Sequence, residues 1–446
     1  MTALRVAYLT SEYGDIGQQR GGLGSHLART VPLVAAAGAR CDVFLCSGSR
    51  GDTARETIVV DGVNVHRIAG SHETPFDDLL VPAQVRRHLR SAWLLADALG
   101  SPQTPAFDVV QVPNIGVAGL FADVRVPMAM RFSSHAATWH AASGAQRDAR
   151  TVLGEILQRR AIDRAVAHFA PSRFVAALVS EETGIPVDVI RPPMPSVEDD
   201  ARWDTEWAAS AAGGGPYVVH AGQLGAAKGT DLVIAAAEIA MTGGARLRFH
   251  FCGPDAGAGA RIARLERRFP DRVQYHGRLP ASRLHPLMGG AHAVLCPSRA
   301  DNLPNVAIEA MALGTPVIGT RGASIDELVN DGESGVLVPL EATALAEAIA
   351  RLVSLPADDL ARMRRAARDK VSEALDPGRQ IRALLDFYGS VAGRPVPEPR
   401  PRLAMAKQIR ADLIALQPWF ENDGSRSRAR TRLFGNLPKH WRRRTP

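Results

Sequence analysis

The chain has only four cysteines in 446 residues, Cys41, Cys46, Cys252 and Cys296. They stand in apolar, strand-like runs without a CxxC pair, which argues against a disulfide framework or a four-thiolate zinc site and reads them as buried, reduced thiols. No apolar run approaches the roughly 18–20 residues that a bilayer crossing needs. The opening MTALRVAYLT lacks the charged start, apolar stretch and small-residue cleavage site of a secretory signal, so residence in the cytosol is expected. GxGxxG is missing, which disfavours a dinucleotide oxidoreductase, and DxD, the metal-binding signature of some sugar transferases, does not occur. His250 and Cys252 lie two apart on one strand-like run with no further ligand nearby, and no metal is expected.

A basic surface on the main body cannot be argued from the net charge either. The formal charge is +7, but residues 391–446 alone carry a net +9, leaving the first 390 residues at −2. A basic surface that would bind nucleic acid or membrane therefore has to rest on the tail. Charged residues make up an ordinary 22% and hydrophobic residues 46%, which fits a globular chain. A single core stops growing at roughly 250–300 residues, so two domains are expected.

What is present is a rhythm. Short β-branched runs at 5–10, 41–46, 63–68, 107–112, 126–133 and 167–172 alternate with amphipathic, helix-like stretches. That alternation marks βαβ units with strands buried on both faces of a mostly parallel sheet. A proline-rich segment and three consecutive glycines interrupt it over 191–216, and it restarts at 217–222, 246–253, 273–277, 293–298, 316–320 and 335–339. The expected fold is α/β, two doubly wound Rossmann-like domains facing each other across a cleft. The expected boundaries are 1–195 and 196–376, then a helix over 377–390 and a basic amphipathic extension over 391–446.

Three segments carry candidate chemistry. Gly21, Gly22 and Gly24 follow the first strand, where glycines let backbone N–H groups approach an anion at a helix N-terminus; a tight turn is the plainer alternative. Lys228 lies in HAGQLGAAKGTDL, which opens the second domain. Only four of the 53 basic residues are lysines, so a compact ammonium in that loop suits a diphosphate. In PSRADNLPNVAIEAMALGTPVI, Pro304 suits the first turn of a helix, Asn302 is placed to cap it, and Gly314 suits its end. Asp301 and Glu309 then sit beside a helix N-terminus, where two carboxylates accept hydrogen bonds from sugar hydroxyls.

This last segment resembles the signature of glycosyltransferase family 4, an acidic residue followed eight positions on by glutamate, within EAMA and GTPV surroundings. The resemblance extends over about residues 5–390. It takes in the glycine-rich first loop, the KG turn, PSRFVAALVSEETGI and GASIDELVNDGESGVLVP. It implies a GT-B fold, an N-terminal acceptor domain and a C-terminal domain for a nucleoside diphosphate sugar, with no other cofactor. By the same resemblance, Glu309 holds the ribose hydroxyls, Asp301 a hydroxyl of the donor sugar and Lys228 the diphosphate. Backbone N–H groups over Asn302, Leu303, Pro304 and Asn305 assist, Gly21 and Gly22 let the first loop close, and His135 lies near the transferred sugar, with His140 a close competitor. Transfer with retention, by attack on the face of departure and without a metal, is implied as well.

The chain departs from the family pattern twice. Gln223 stands where an arginine is usual, and Asp301 where glutamate is usual. A lost charge-assisted hydrogen bond is worth roughly 1.5–3 kcal/mol, so Gln223 leaves open an inactive nucleotide-sugar-binding scaffold. A second alternative is a sugar phosphorylase or sugar-phosphate synthase on the same fold, sharing Glu309 and Lys228 and differing in the acceptor pocket. In the tail, Ile409, Leu413, Leu416 and Phe420 form an apolar stripe at helical spacing, followed by RSRARTR and by Phe434 and Trp441 among cations. Two readings stand side by side: attachment of the 391–446 tail to an anionic membrane surface, or a helix packed on the N-terminal domain. RNA binding is the least favoured.

Overall fold

In the computed structural model, the residues described are 3–14, 16, 21–122, 125–144, 148–194, 197, 202–396 and 401–421. Strands β1 (Arg5–Thr10), β2 (Arg40–Leu45), β3 (Glu56–Val60), β4 (Val63–Arg67), β5 (Val109–Pro113), β6 (Met128–Arg131), β7 (Ala167–Ala170) and β8 (Asp188–Val189) make one sheet. Its order is β3-β4-β2-β1-β5-β6-β7-β8, parallel throughout except for the β3/β4 pair. A second sheet, wholly parallel, is formed by β9 (Tyr217–Ala221), β10 (Arg248–Cys252), β11 (Val273–Gly277), β12 (Ala293–Cys296), β13 (Val317–Thr320) and β14 (Gly335–Val338), in the order β11-β10-β9-β12-β13-β14. The apolar runs have no polar alternation because helices cover both faces, and Val6, Ala7, Tyr8 and Leu9 of β1 are all almost completely buried. All four cysteines are buried and free.

Two strands lie outside the runs picked from the sequence. β3 is an edge strand, with Val59 largely exposed, so its apolar pattern is weak. It is joined to β4 through Asp61 and Gly62, both at positive φ (48° and 77°), which is the backbone a two-residue hairpin turn requires. β8 is only two residues long.

The chain passes between the two halves twice. It leaves the N-terminal sheet after β8 and returns through the helix Pro377–Ala392, whose Ile381, Leu384, Tyr388 and Val391 pack into the core around β1 and β2. Tyr388 donates its hydroxyl hydrogen to the buried Gln111 side chain. The two crossings touch, since the Met194 N–H donates to the Leu375 carbonyl at 2.8 Å.

The last described helix, Arg402–Glu421, takes the apolar stripe by the second reading, a helix packed on the N-terminal domain. Ile409, Leu413 and Leu416 do share one face, but that face is buried in the N-terminal core with Ala406, Phe76, Leu89 and Leu95. Cations on its flanks bind the same domain: Arg410 forks onto Asp78, and Arg402 pairs with Asp97 at 2.8 Å and stacks 4.3 Å from the centre of the Trp93 ring. Arg160 reaches back to Asp412 at 2.7 Å. This stripe is therefore spent on the domain and is not available to a bilayer. The Phe420 side chain, RSRARTR, Phe434 and Trp441 lie outside the described residues. No described helix is long and apolar enough to cross a membrane.

If this docking holds the tail helix, Leu413→Ala removes buried methyl groups and costs about 2–5 kcal/mol, whereas Leu403→Ala, at an exposed position, costs little. Urea unfolding followed by circular dichroism should show a lowered midpoint for the first variant only.

Candidate active site

Strand order reverses between β2-β1 and β5 in the first sheet, and between β10-β9 and β12 in the second. At such a reversal the connections leave the carboxyl edge in opposite directions and open a crevice. The two crevices face each other and merge into one cleft of about 870 Å³. Gly21 and Gly22 line it from the loop after β1 and from the start of the helix Gly22–Ala36. Gln223 and Lys228 come from the loop after β9, and Asp301, Asn302, Leu303, Pro304, Asn305 and Glu309 from the loop after β12 and the helix Asn305–Ala312.

The loop after β12 is shaped by one uncommon backbone conformation. Leu303, buried, has φ +50°, a left-handed geometry that costs an ordinary residue about 1–2 kcal/mol. Ser324 holds it there, accepting from the Leu303 N–H and donating to the Asp301 carbonyl, each at 3.0 Å. Asp301 accepts from the Asn302 N–H at 3.0 Å and the Ser298 hydroxyl at 3.2 Å, and its second oxygen also pairs with the Lys228 ammonium.

Lys228 is placed by a short turn ending at Gly229, whose φ is +71°. A Cβ at Gly229 would stand 1.9 Å from the Pro297 carbonyl oxygen, so only glycine allows the two loops to meet. The ammonium also lies 5.6 Å from the centre of the Trp139 ring. Beneath it, His220 bonds the Leu295 carbonyl and the Thr230 hydroxyl, and burial pushes its pKa down to about 4, so it adds no charge to the site at neutral pH.

Asn302 is not the helix cap expected from the sequence. Pro304 occupies the cap position, and the turn at Leu303 sends the Asn302 side chain across the cleft. There it accepts from the Ser172 hydroxyl at 2.7 Å and donates to the Phe132 carbonyl at 2.9 Å, both on the N-terminal half. The N–H groups of Asn302 and Leu303 are thus bonded within the loop, and Pro304 has none. Among the described residues, the N–H groups of Asn305 and Val306 at this helix end have no hydrogen-bond partner. Asn305 also bridges the halves, accepting from Arg29 at 2.9 Å and donating to the Gly22 carbonyl at 3.4 Å. One turn on, Glu309 lies 3.8 Å from His285.

The two histidines separate. His135 caps the helix Ala136–Ser143 through Thr138, its Nδ1 lying 2.7 Å from the Thr138 hydroxyl, and its Nε2 pairs with Glu182. It lines a small side cavity behind Asp301 and Asn302, while His140 lines the main cleft. Gln223 is exposed in the cleft. At the other helix end, Glu12 accepts from the Gly24 N–H at 3.3 Å, and a Cβ on Gly21 would come within 2.4 Å of the same carboxylate. Trp139, Arg29, Glu12 and Ser172 were not singled out from the sequence. Trp139 alone left a signal, being one of six tryptophans and lying in the segment already chosen for its histidines. Among the described residues no three His, Cys, Asp or Glu side chains gather as metal ligands.

Comparison with known proteins fits this geometry. Residues 21–193 match the family described as glycosyl transferase 4-like domain, and residues 215–354 match glycosyl transferases group 1. A D-inositol 3-phosphate glycosyltransferase of Acidothermus cellulolyticus is 29% identical over 71% of this chain and 74% of its own length. Among solved structures, sucrose-phosphate synthase of Thermosynechococcus elongatus superposes with a TM-score of 0.71 at 19% identity, over 87% of this chain and 98% of that one. The catalytic domain of starch synthase IV of Arabidopsis thaliana gives 0.68 at 13% identity, over 88% of this chain and all of that one. A cleft built from two facing sheets, with both family matches falling one on each half, places the chain among the family 4 glycosyltransferases of GT-B fold, enzymes that use nucleotide sugars.

Proposed function

We propose that the chain is a retaining glycosyltransferase that needs no metal and moves a sugar from a nucleoside diphosphate sugar to a hydroxyl acceptor, in the synthesis of a polysaccharide, glycolipid or other glycoconjugate. The observation that carries this is that one cleft is lined by Lys228, paired with Asp301, by the first helix residues Asn305 and Val306, and by Glu309 one helical turn on. A departing diphosphate develops negative charge, and a fixed cation with oriented N–H groups stabilises it without reorganisation. These groups supply the charge that a divalent ion supplies elsewhere.

Asp301 neutralises Lys228. On donor binding the ammonium turns to the diphosphate, and Asp301, still held by Ser298 and the Asn302 N–H, is left facing the sugar hydroxyls. Glu309 accepts from the ribose hydroxyls. Retention follows when the acceptor attacks from the side of the leaving group, whose phosphate oxygen takes the acceptor proton; this uses no pair of protein carboxylates. The exposed Gln223 favours a second reading, a nucleotide-sugar-binding scaffold, and binding without turnover over a broad acceptor mixture would support it.

Screening UDP-, GDP- and ADP-sugars by thermal shift identifies the donor, since a ligand at 100 times its Kd adds about 2.7 kcal/mol to stability. With that donor, Glu309→Ala and Lys228→Ala should each lower kcat/KM by at least about tenfold while Tm changes little, because each loses a hydrogen bond to the donor. Unchanged kcat/KM in both variants would remove the assignment. Gln223→Arg should tighten binding of the nucleoside diphosphate more than that of the nucleoside, and equal effects would show that position 223 does not face the phosphates. Turnover should survive EDTA.

A further inference from the structure

Beside the cleft, at the carboxyl end of β2, lies a second cavity of about 320 Å³. Its wall carries four guanidinium groups, Arg50, Arg86, Arg87 and Arg90, against a single carboxylate, Asp77. Asp77 is already shared, pairing with Arg90 and, at 3.1 Å, with Arg50. The neighbouring acids are engaged elsewhere: Asp52 accepts from the Ser47 hydroxyl and the Ala54 N–H, and Asp78 holds Arg410. The cavity is therefore left with an excess of positive charge.

The frame around it is fixed. Arg90 is almost fully buried and donates to the carbonyls of Gly48, Gly70 and His72, which ties two loops to the helix Ala83–Leu99. Gly48, at φ +68°, lies so close to that helix that a Cβ would stand 2.3 Å from the Arg87 carbonyl oxygen. Arg90 is used up in this scaffold, whereas Arg50 and Arg87 are exposed, and Arg87 has no hydrogen-bond or ion-pair partner among the described residues. Arg86 donates to the Leu79 carbonyl at 2.9 Å, so Arg87, with Arg50 and Arg86 beside it and one shared carboxylate among them, offers a guanidinium fork that suits a tetrahedral oxyanion.

The helix Ala83–Leu99 is common to both cavities. Gln84 and His88 line the main cleft and Arg87 the second cavity, and helix positions three apart hold their Cβ atoms about 5–6 Å from one another. The charge on Arg87 even reaches the cleft side: after burial, it is what holds His88 down at about 4. The arginine cavity and the N-terminal wall of the cleft thus share one helix, on the half opposite the donor groups.

We infer that the cavity formed by Arg50, Arg86 and Arg87 binds a phosphate group carried by the acceptor, and so selects a phosphorylated hydroxyl compound for transfer. The acceptor part of this statement rests on the transferase reading above; the phosphate site does not.

The two parts are tested separately with the full chain. Titration calorimetry with inorganic phosphate and with glucose 6-phosphate should show millimolar or tighter binding that Arg50→Ala/Arg87→Ala weakens at least tenfold and Lys228→Ala less than about twofold. Arg90 is left intact because its loss would unseat the loops. Absence of binding to the wild-type chain, or equal binding by the arginine double variant, overturns the site. Binding of the wild-type chain to phosphatidic acid vesicles, dependent on Arg50 and Arg87 but without binding of either soluble phosphate, also overturns it, in favour of a membrane surface.

Transfer is then measured with paired acceptors that differ only in a phosphate monoester. The ratio of kcat/KM for the phosphorylated over the plain acceptor should exceed about tenfold in the wild-type chain and fall by at least that factor in the double variant, mainly through KM. Equal use of the two acceptors by the wild-type chain overturns the acceptor assignment while leaving the phosphate site standing. A chain that binds phosphate through Arg50 and Arg87 but turns over no donor with any acceptor overturns the transferase reading and the acceptor assignment together.

Discussion

The site hangs on the conformation of one buried residue. Leu303 is held in the left-handed region by its hydrogen bond to Ser324, and from that turn three directions follow. Asp301 points down onto Lys228, Asn302 points across to the N-terminal half, and the helix after Pro304 begins at the cleft wall. Strain of this kind persists only where surrounding contacts over-determine it. Here those contacts are a buried apolar side chain and a serine hydroxyl bonded on both sides. The backbone cost falls on the C-terminal half, and its benefit is shared by both.

The electrostatic balance at Lys228 follows from the same turn. Its ion pair with Asp301 is partly buried, so it is screened less than a surface pair, yet each partner keeps other anchors. On the proposed reading, a diphosphate that displaces the carboxylate gains a cation already positioned and already partly desolvated. Such binding exchanges one anion for another, which limits how much desolvation the ligand itself must meet. The helix Gly22–Ala36 shows a similar arrangement, with the Glu12 carboxylate at its positive end.

The sheets were legible because strands covered on both faces leave unbroken apolar runs, and the 297–318 segment because helix signals and carboxylates coincide there. What escaped depends on contacts between distant residues. Asn302 looks like a cap in one dimension, and only the φ of Leu303 decides that it serves the other domain. His135 and His140 cannot be ranked without knowing which side of a short helix faces the cleft. The stripe of Ile409, Leu413 and Leu416 announces a buried face, but periodicity says nothing of what buries it, and a bilayer and a protein core ask for the same residues. The β3 hairpin is a different case: its Asp-Gly turn was present in the sequence, beside a strand too weakly apolar to draw notice.

The paired crossings of the chain have a mechanical consequence. A body tethered to another at one point turns about any axis through that point; tethered at two neighbouring points, it swings freely only about the line that joins them. The Met194 to Leu375 hydrogen bond sets the two crossings side by side, so any parting of the halves is a jaw-like movement with a single axis. The bonds from Asn302 to Ser172 and Phe132, and from Asn305 to Arg29 and Gly22, lie at the mouth of that jaw and must break together for it to open. Asn302 and Asn305, which line the cleft, therefore act also as its latch, and the width of its aperture is governed by the cleft's own wall.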